Sequence, residues 1–276
     1  MYRTFTCFVF ILIFNTGFSI NALANELDIS TKLEGFSFSK INEIPLGPFP
    51  RVQDCISHTL SPDLFSNELT KSIHNKGWAI LSEVRYADYL LVSFSGNLEA
   101  ATSGICYISQ SNIALFKNTK LVGIIYLEES SDTRIGTLQF MDGGFVRLYS
   151  GGTIRMAPSA DIILTEDGLR LQAIATFTHY CYGESIIPNV YGSSILAGRQ
   201  MLFDLGFQPK EVEDRFLISW REYLVEKGIN EVNWCSGTGL AFCSFVYEND
   251  SSHVTLVTAG EDEYPIIVSE SVECKP

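Results

Sequence analysis

Short apolar segments separated by glycine-containing turns recur about every ten residues in the middle of the chain. Asp142-Gly143-Gly144 separates two such segments, and Glu166-Asp167-Gly168 precedes a third, Leu169–Tyr182. This spacing is typical of strands joined by tight turns and leaves no room for the helical crossovers of a parallel sheet. The pattern predicts antiparallel β meanders, with strands at Tyr89–Phe94, Ile113–Phe116, Leu121–Leu127, Thr137–Met141, Phe145–Tyr149, Thr153–Met156 and Asp161–Thr165.

The segment Leu169–Tyr182 alternates between apolar and polar residues along its length. Successive side chains of a strand point to opposite faces, so this alternation predicts one long strand with one buried face. The residues expected on that face are Leu169, Leu171, Ala173, Ala175, Phe177, His179 and Cys181. Tyr180 and Tyr182 share the opposite face, where two interpretations stay open: packing under a neighbouring helix, or part of a recognition surface.

Helices are indicated in both halves of the chain. Ser61 can cap a helix over 61–77, because a proline follows it and a glycine ends the apolar stripe. A second helix is expected over 193–206, capped by Ser193 or Ser194, and a third over 209–227 with Trp220 on its buried stripe. Strands follow at Leu240–Tyr247, Val254–Ala259 and Pro265–Val272.

These elements predict an α+β fold of mostly antiparallel β meanders. One helix lies in the N-terminal half, and a pair of helices in the C-terminal half packs on sheet, with disulfides stabilising the whole. Along the chain we expect a signal peptide (1–24), an extended proline-containing lead-in (25–60), an α+β region with its helix before its sheet (61–185), and a helix pair followed by a three-stranded antiparallel sheet (186–276).

The first 24 residues have the pattern of a secretory signal peptide. Arg3 precedes the apolar run Phe5–Phe14, which has about half the length needed to cross a bilayer. Ala22-Leu23-Ala24 supplies small residues at positions −3 and −1 and predicts cleavage after Ala24. The alternative is a buried N-terminal helix. We expect an exported protein, periplasmic or secreted, with no membrane span.

Six cysteines remain once Cys7, inside the expected signal peptide, is set aside: Cys55, Cys106, Cys181, Cys235, Cys243 and Cys274. An even number in an exported chain indicates disulfides, and six cysteines allow 15 connectivities. Cys235 and Cys243 are expected in a local cluster with Cys274. Cys106 or Cys55 is expected to pair with the earlier part of the chain or with Cys181.

One stretch resembles a known arrangement. Leu69–Phe94 runs from a helix through Lys76-Gly77-Trp78 to a strand, and through Ala87-Asp88-Tyr89 to a second strand. This order is similar to the helix–strand–strand run with an "ADY" turn in several small α/β domains of bacterial envelope lipoproteins. The similarity covers about 26 of the 276 residues. It implies a bacterial envelope setting and assigns no functional residue.

The charge balance narrows the classes of partner. The chain has 19 basic and 32 acidic residues, which gives a net charge of −13. Nucleic-acid binding depends on clustered Lys and Arg, and attachment to anionic membranes depends on polybasic segments. We therefore expect neither partner, and expect a protein or small-molecule partner of unknown identity.

No catalytic motif is complete in the sequence. Ser193, Ser194 and Ser236 lie outside any G-x-S-x-G elbow, and the two dinucleotide and P-loop glycine patterns are missing. Cys55 with His58, and His179 with Cys181, have spacings that suit a thiol enzyme or a zinc site, although disulfide formation competes with both. Acidic pairs such as Glu128-Glu129 are most simply solvated turns. We predict no catalytic residue, cofactor or metal site.

The function expected on these grounds is non-catalytic binding by an exported or envelope-associated protein. One alternative is a secreted or periplasmic hydrolase whose active site assembles only in three dimensions. A second is a structural or assembly factor that adds a strand to a partner sheet. A close pair of ionisable groups in one deep pocket favours the hydrolase, an aromatic patch favours binding, and an uncovered strand edge favours the assembly factor.

Overall fold

The computed structural model describes residues 30–276, apart from 32, 52, 102–105, 130, 132–133, 151–156, 211–218 and 237–239. The predicted signal peptide and its cleavage site after Ala24 lie outside the described residues. So do the predicted strand Thr153–Met156 and the opening turns of the predicted helix over 209–227.

The N-terminal part is built mainly from strands. In chain order its elements are β1 (Ser30–Thr31), β2 (Phe36–Ser39), α1 (Glu68–Asn75), β3 (Ala79–Tyr86), β4 (Tyr89–Ala100), β5 (Cys106–Lys117), β6 (Lys120–Leu127), β7 (Leu138–Met141), β8 (Phe145–Tyr149), β9 (Pro158–Thr165) and β10 (Gly168–Gln172). A first sheet has the order β2-β6-β5-β4-β3 and a second the order β1-β10-β9-β8-β7. Apart from the parallel β1–β10 pair, all these neighbours are antiparallel, so the predicted meanders are confirmed.

The two sheets pack face to face around one apolar core. Leu91 and Leu115 of the first sheet and Val146 and Ile162 of the second are among its fully buried members. Each such side chain contributes roughly 1.5–3 kcal/mol when it leaves water. Because successive side chains of a strand point to opposite faces, alternate residues of these strands supply the apolar side chains that pack between the two sheets.

Helix α1 covers part of the opposite face of the first sheet. Ile73 is completely buried there and belongs to the same cluster as Ile80 and Val92. The helix begins later than the predicted start at Ser61, because Asn67 caps it: its side-chain oxygen accepts from the backbone N–H of Leu69 at 2.9 Å. Ser61 instead precedes a short 3-10 turn with no side-chain cap.

The prediction of one long strand over 169–182 is wrong. The chain leaves the second sheet after Gln172, and the strands β11 (Phe177–Tyr180) and β12 (Ser185–Pro188) form a separate two-stranded hairpin. Asp161 stabilises the segment between β10 and β11, because its carboxylate accepts a hydrogen bond from the backbone N–H of Ala175 at 3.1 Å. The alternation restarts out of phase: Phe177 and His179 are exposed while Thr178 is buried.

The C-terminal part combines helices with a third sheet. Its elements are α2 (Ile195–Asp204), β13 (Gln208–Pro209), α3 (Ser219–Glu226), β14 (Val232–Cys235), β15 (Cys243–Glu248), β16 (Ser252–Ala259) and β17 (Ile266–Cys274). The sheet, called the C-terminal sheet below, has the order β13-β15-β16-β17, and β14 also pairs with β15. It thus has five strands where three were expected.

Both helices of this part pack near the C-terminal sheet. Ser194 caps α2 by accepting from the backbone N–H of Ala197 at 3.3 Å. Pro209 lies in strand β13 and does not open a helix. Trp220 in α3 is half-buried against the core of this sheet and stacks on Tyr223 with ring centroids 4.9 Å apart.

Three disulfides join the six cysteines, which confirms a disulfide-bonded chain. They are Cys55–Cys106, Cys181–Cys274 and Cys235–Cys243. Cys274 therefore pairs with the hairpin and not with the local cluster expected for it. Within the part of the chain that the structure describes, no helix is long and apolar enough to cross a membrane.

Candidate functional site

A groove of about 670 Å³ opens on the face of the first sheet that packs against α1. This size lies within the range of small-molecule sites. Strands β5 and β6 supply its base, and the segment that precedes β3 supplies one wall. The side chains that give it chemical character are Trp78, Gln110, Ser111, Asn112, Tyr126 and Glu129. We call this the outer groove.

The Trp78 ring is fixed before any ligand arrives. Its indole N–H donates to the backbone oxygen of Pro45 at 2.8 Å, and its ring meets Phe94 edge-on at 5.0 Å. The proline-containing lead-in stays in place because Gly47 and Phe49 donate backbone hydrogen bonds to Lys76 and Gly77. A preorganised ring lowers the ordering cost of binding.

Gly96 lets three groups meet at the base of this wall. A Cβ added at Gly96 would lie 2.8 Å from Oε1 of Gln110, 2.9 Å from Trp78 and 3.1 Å from Pro48. Gln110 itself has a left-handed backbone, with φ of 53°. A left-handed backbone conformation costs free energy in a residue other than glycine, and such residues are frequent at binding sites. The arrangement brings an amide side chain against the indole.

The polar groups of the outer groove have unused capacity. The Ser111 hydroxyl is buried and has no hydrogen-bond partner among the described residues. Because this oxygen is closed off from solvent, the polar side chains that the groove offers to a ligand are those of its other residues. The Asn112 amide donates to the Gln110 backbone oxygen at 3.3 Å, and the Glu129 side chain is exposed. Together with Trp78, these groups suit a ligand with apolar faces and polar edges.

A second cluster of ionisable groups lies away from the outer groove. Glu270 on β17 accepts at Oε1 from the Tyr180 hydroxyl at 3.2 Å, and its backbone N–H donates to the Tyr191 hydroxyl at 3.4 Å. Burial raises the pKa of Glu270 to about 7, against the opposing effects of Arg147 and Tyr180. Burial also raises the pKa values of Tyr149, Tyr180 and Tyr191.

The arginine of this cluster has its own partners. Arg147 donates to Asp161 through two hydrogen bonds, at 2.8 and 3.2 Å, and to the Thr178 hydroxyl at 2.9 Å. Arg147 and Asp161 are directly opposite each other on β8 and β9 and are 2% and 1% exposed. This bidentate pair ties the hairpin to the second sheet, because Thr178 lies on β11.

The residues weighed for catalysis or metal binding have structural partners. Cys55 and Cys181 are in disulfides, so neither is the thiolate that Cys55–His58 or His179–Cys181 chemistry needs. Ser194 caps a helix, and the Ser236 hydroxyl accepts from the backbone N–H of Phe242 at 3.2 Å. Over the described residues, no group of three or more His, Cys, Asp or Glu side chains is placed to hold a metal ion.

Sequence reasoning missed both clusters. The groove residues come from four separate segments, and nothing in their spacing marks them as a set. Of the two tyrosines considered for recognition, Tyr180 is half-buried beside Glu270, whereas Tyr182 is 100% exposed. No protein-family model, curated protein or solved structure matches this chain.

Proposed function

We propose that this chain is an exported, non-catalytic binding protein that holds a neutral, polyhydroxylated ligand, such as a saccharide, in the outer groove. The observation that carries the proposal is the fixed Trp78 ring, which meets the Gln110 amide at Gly96 in a groove of about 670 Å³. The function rests on recognition by preformed groups and needs no metal or cofactor.

The chemistry of the groove lining supports this ligand class. The rings of Trp78 and Tyr126 offer apolar surface with a preferred stacking geometry, while Gln110 and Asn112 offer amide donors and acceptors. A ligand with flat C–H faces and a rim of hydroxyl groups satisfies both kinds of group at once. The exposed carboxylate of Glu129 and the net charge of −13 disfavour anionic ligands.

Binding is favoured over glycoside hydrolysis by the count of acidic groups. Hydrolysis of a glycosidic bond uses two carboxyl groups about 5–10 Å apart across the bond. Among the described residues that line the outer groove, one has a carboxylate, and that residue is Glu129. Glu270 belongs to the second cluster, which does not line it.

Export is supported by the cysteine chemistry. Three disulfides, two of which join distant parts of the chain, are typical of proteins that fold in an oxidising compartment. The predicted signal peptide provides the route.

The test is direct binding with the oxidised chain. Immobilised neutral glycans identify a ligand, and titration calorimetry then compares the unmodified chain with Trp78→Ala and Trp234→Ala. Trp234 is a matched control because its side chain is 53% exposed on β14, outside the groove. We expect Trp78→Ala to weaken binding at least tenfold, equal to about 1.4 kcal/mol, and Trp234→Ala to leave it unchanged.

Two results would contradict the proposal. One is binding that both tryptophan variants retain, which would place the ligand elsewhere. The other is turnover of the bound glycan, which would favour the hydrolase.

A further inference from the structure

Glu270 has an oxygen atom that is buried and unpaired. Its Oε2 is closed off from solvent and has no hydrogen-bond partner among the described residues, although the residue as a whole is only half-buried. A neutral carboxyl leaves one polar group unpaired at this oxygen, which costs less than leaving a charge unpaired there. An ionised carboxylate there lacks the partners that compensate a buried charge.

The groups that face Glu270 come from every element packed around it. Tyr180 of β11 donates to it, and Tyr191, between β12 and α2, accepts from its backbone N–H. Tyr149 and Arg147 of β8 complete the ionisable neighbours, and Leu256 is its partner on β16. Arg147 is the cation of this set. Its hydrogen bonds to the described residues go to Asp161 and Thr178, so it stabilises the Glu270 carboxylate through space.

The cluster lies where the hairpin fastens the second sheet to the C-terminal sheet. On one side, Thr178 accepts from Arg147, and the backbone N–H of Cys181 donates to Asp142 in the β7–β8 turn at 3.3 Å. On the other side, Ser185 and Ser252 share a buried hydrogen bond of 2.7 Å, and Cys181 is bonded to Cys274. The Tyr180–Glu270 contact belongs to this second side.

We propose that Glu270 is a pH-operated latch: its neutral carboxyl keeps the hairpin packed on the C-terminal sheet, and its ionisation loosens that contact while the Cys181–Cys274 disulfide keeps the two elements tethered. The proposal concerns the joint between the two parts of the molecule and does not depend on what the outer groove binds.

The direction of the pH effect follows from linkage. Because burial raises the pKa of Glu270 from 4.5 to about 7, the carboxyl is neutral in both closed and open forms below pH 4.5. Between pH 4.5 and 7 the open form ionises first and is favoured increasingly. Above pH 7 both forms are ionised and the effect is constant. The opening equilibrium constant should thus rise by about 140-fold from pH 4.5 to pH 8.

Two measurements on the oxidised chain test the latch. Hydrogen exchange of the amides in β11 and β12, corrected for the intrinsic pH dependence of exchange, gives the opening constant. Carbon-13 NMR of the glutamate carboxyl groups gives the midpoint of Glu270. We expect a midpoint near 7 in the unmodified chain, and an opening constant that rises with pH.

Glu270→Gln keeps the shape and removes the charge. It should make the opening constant of the hairpin nearly independent of pH and should protect the hairpin at pH 8. Glu273→Gln is the matched control, since Glu273 lies on the same strand and is exposed. It should retain the rise seen in the unmodified chain.

Tyr180→Phe separates the latch from a purely structural role. The Tyr180 hydroxyl bonds to the carboxylate and lowers its pKa, so its removal should move the Glu270 midpoint to higher pH. A midpoint near 4.5 in the unmodified chain, or the same pH dependence in Glu270→Gln and Glu273→Gln, would overturn the proposal. Failure of glycan binding bears only on the outer groove.

Discussion

The buried pair Arg147–Asp161 offers the sharpest test of how the parts of this molecule hold together. Within the described residues, Arg147 donates two hydrogen bonds to Asp161 and one to Thr178, and both charged side chains are at most 2% exposed. Replacing Arg147 with Met removes these bonds and leaves the Asp161 carboxylate buried, with the bond from the backbone N–H of Ala175 still in place. An uncompensated buried charge of this kind costs about 3–5 kcal/mol.

Neutralising both partners should undo most of that cost. In Arg147→Met with Asp161→Asn, the asparagine keeps an acceptor for the Ala175 N–H and no charge stays buried. The double variant should therefore be more stable than Arg147→Met alone, with a coupling of at least about 2 kcal/mol in the double-mutant cycle.

Urea unfolding with every variant at pH 5 is the suitable assay, because Glu270 is then neutral in the folded chain of each variant and contributes the same amount to each free energy of unfolding. Arg170→Met is the control: Arg170 is exposed on β10, and its loss should change stability by no more than about 0.5 kcal/mol. The reasoning fails if Arg147→Met costs less than about 1 kcal/mol, or if the double variant loses the sum of the two single losses.

Three further changes have expected outcomes. Gly96→Ala should weaken ligand binding, measured by calorimetry, because its methyl group would lie 2.9 Å from Trp78. Asn67→Ala should cost about 1 kcal/mol in thermal unfolding through loss of the α1 cap. Replacing Cys181 and Cys274 together by Ala should cost about 4.5 kcal/mol in urea unfolding, since that disulfide closes a separation of 93 residues. Unchanged ligand affinity in Gly96→Ala, an unchanged melting temperature in Asn67→Ala, or an unchanged free energy of unfolding in the double cysteine variant would contradict the corresponding expectation.

Local signals in the sequence were sufficient for hairpins of the first and second sheets, such as β5–β6, but not for β11–β12. The β5–β6 turn follows the prediction, since Asn118 and Thr119 both adopt the positive φ that two-residue hairpin loops require. The spacing of short apolar segments and turns likewise predicted most strands of the two packed sheets, although β1 and β2 lie in the segment predicted as a lead-in. These features depend on residues close in sequence, and the physics that selects them acts over a few residues.

The failures have a common physical origin in contacts between distant residues. A hydrogen bond from the backbone N–H of Ala175 to the side-chain carboxylate of Asp161 lies where the predicted long strand is interrupted. Asn67 and Ser61 are equally good caps in isolation, and packing of the helix on the first sheet decides between them. The residues around Glu270 lie between positions 147 and 270 and come together only in the folded chain. The pKa of Glu270 is raised by burial, which a local sequence pattern does not reveal.

The order of the disulfides along the chain has a consequence for how the protein is oxidised. Cys55 and Cys106 are neighbours among the six and can pair as soon as both emerge. The Cys235–Cys243 pair, however, is nested inside Cys181–Cys274. An oxidant that joins cysteines strictly in order of appearance would link Cys181 to Cys235 and then Cys243 to Cys274. Native pairing therefore requires either delayed oxidation of Cys181 or a thiol–disulfide isomerase that corrects the early bond.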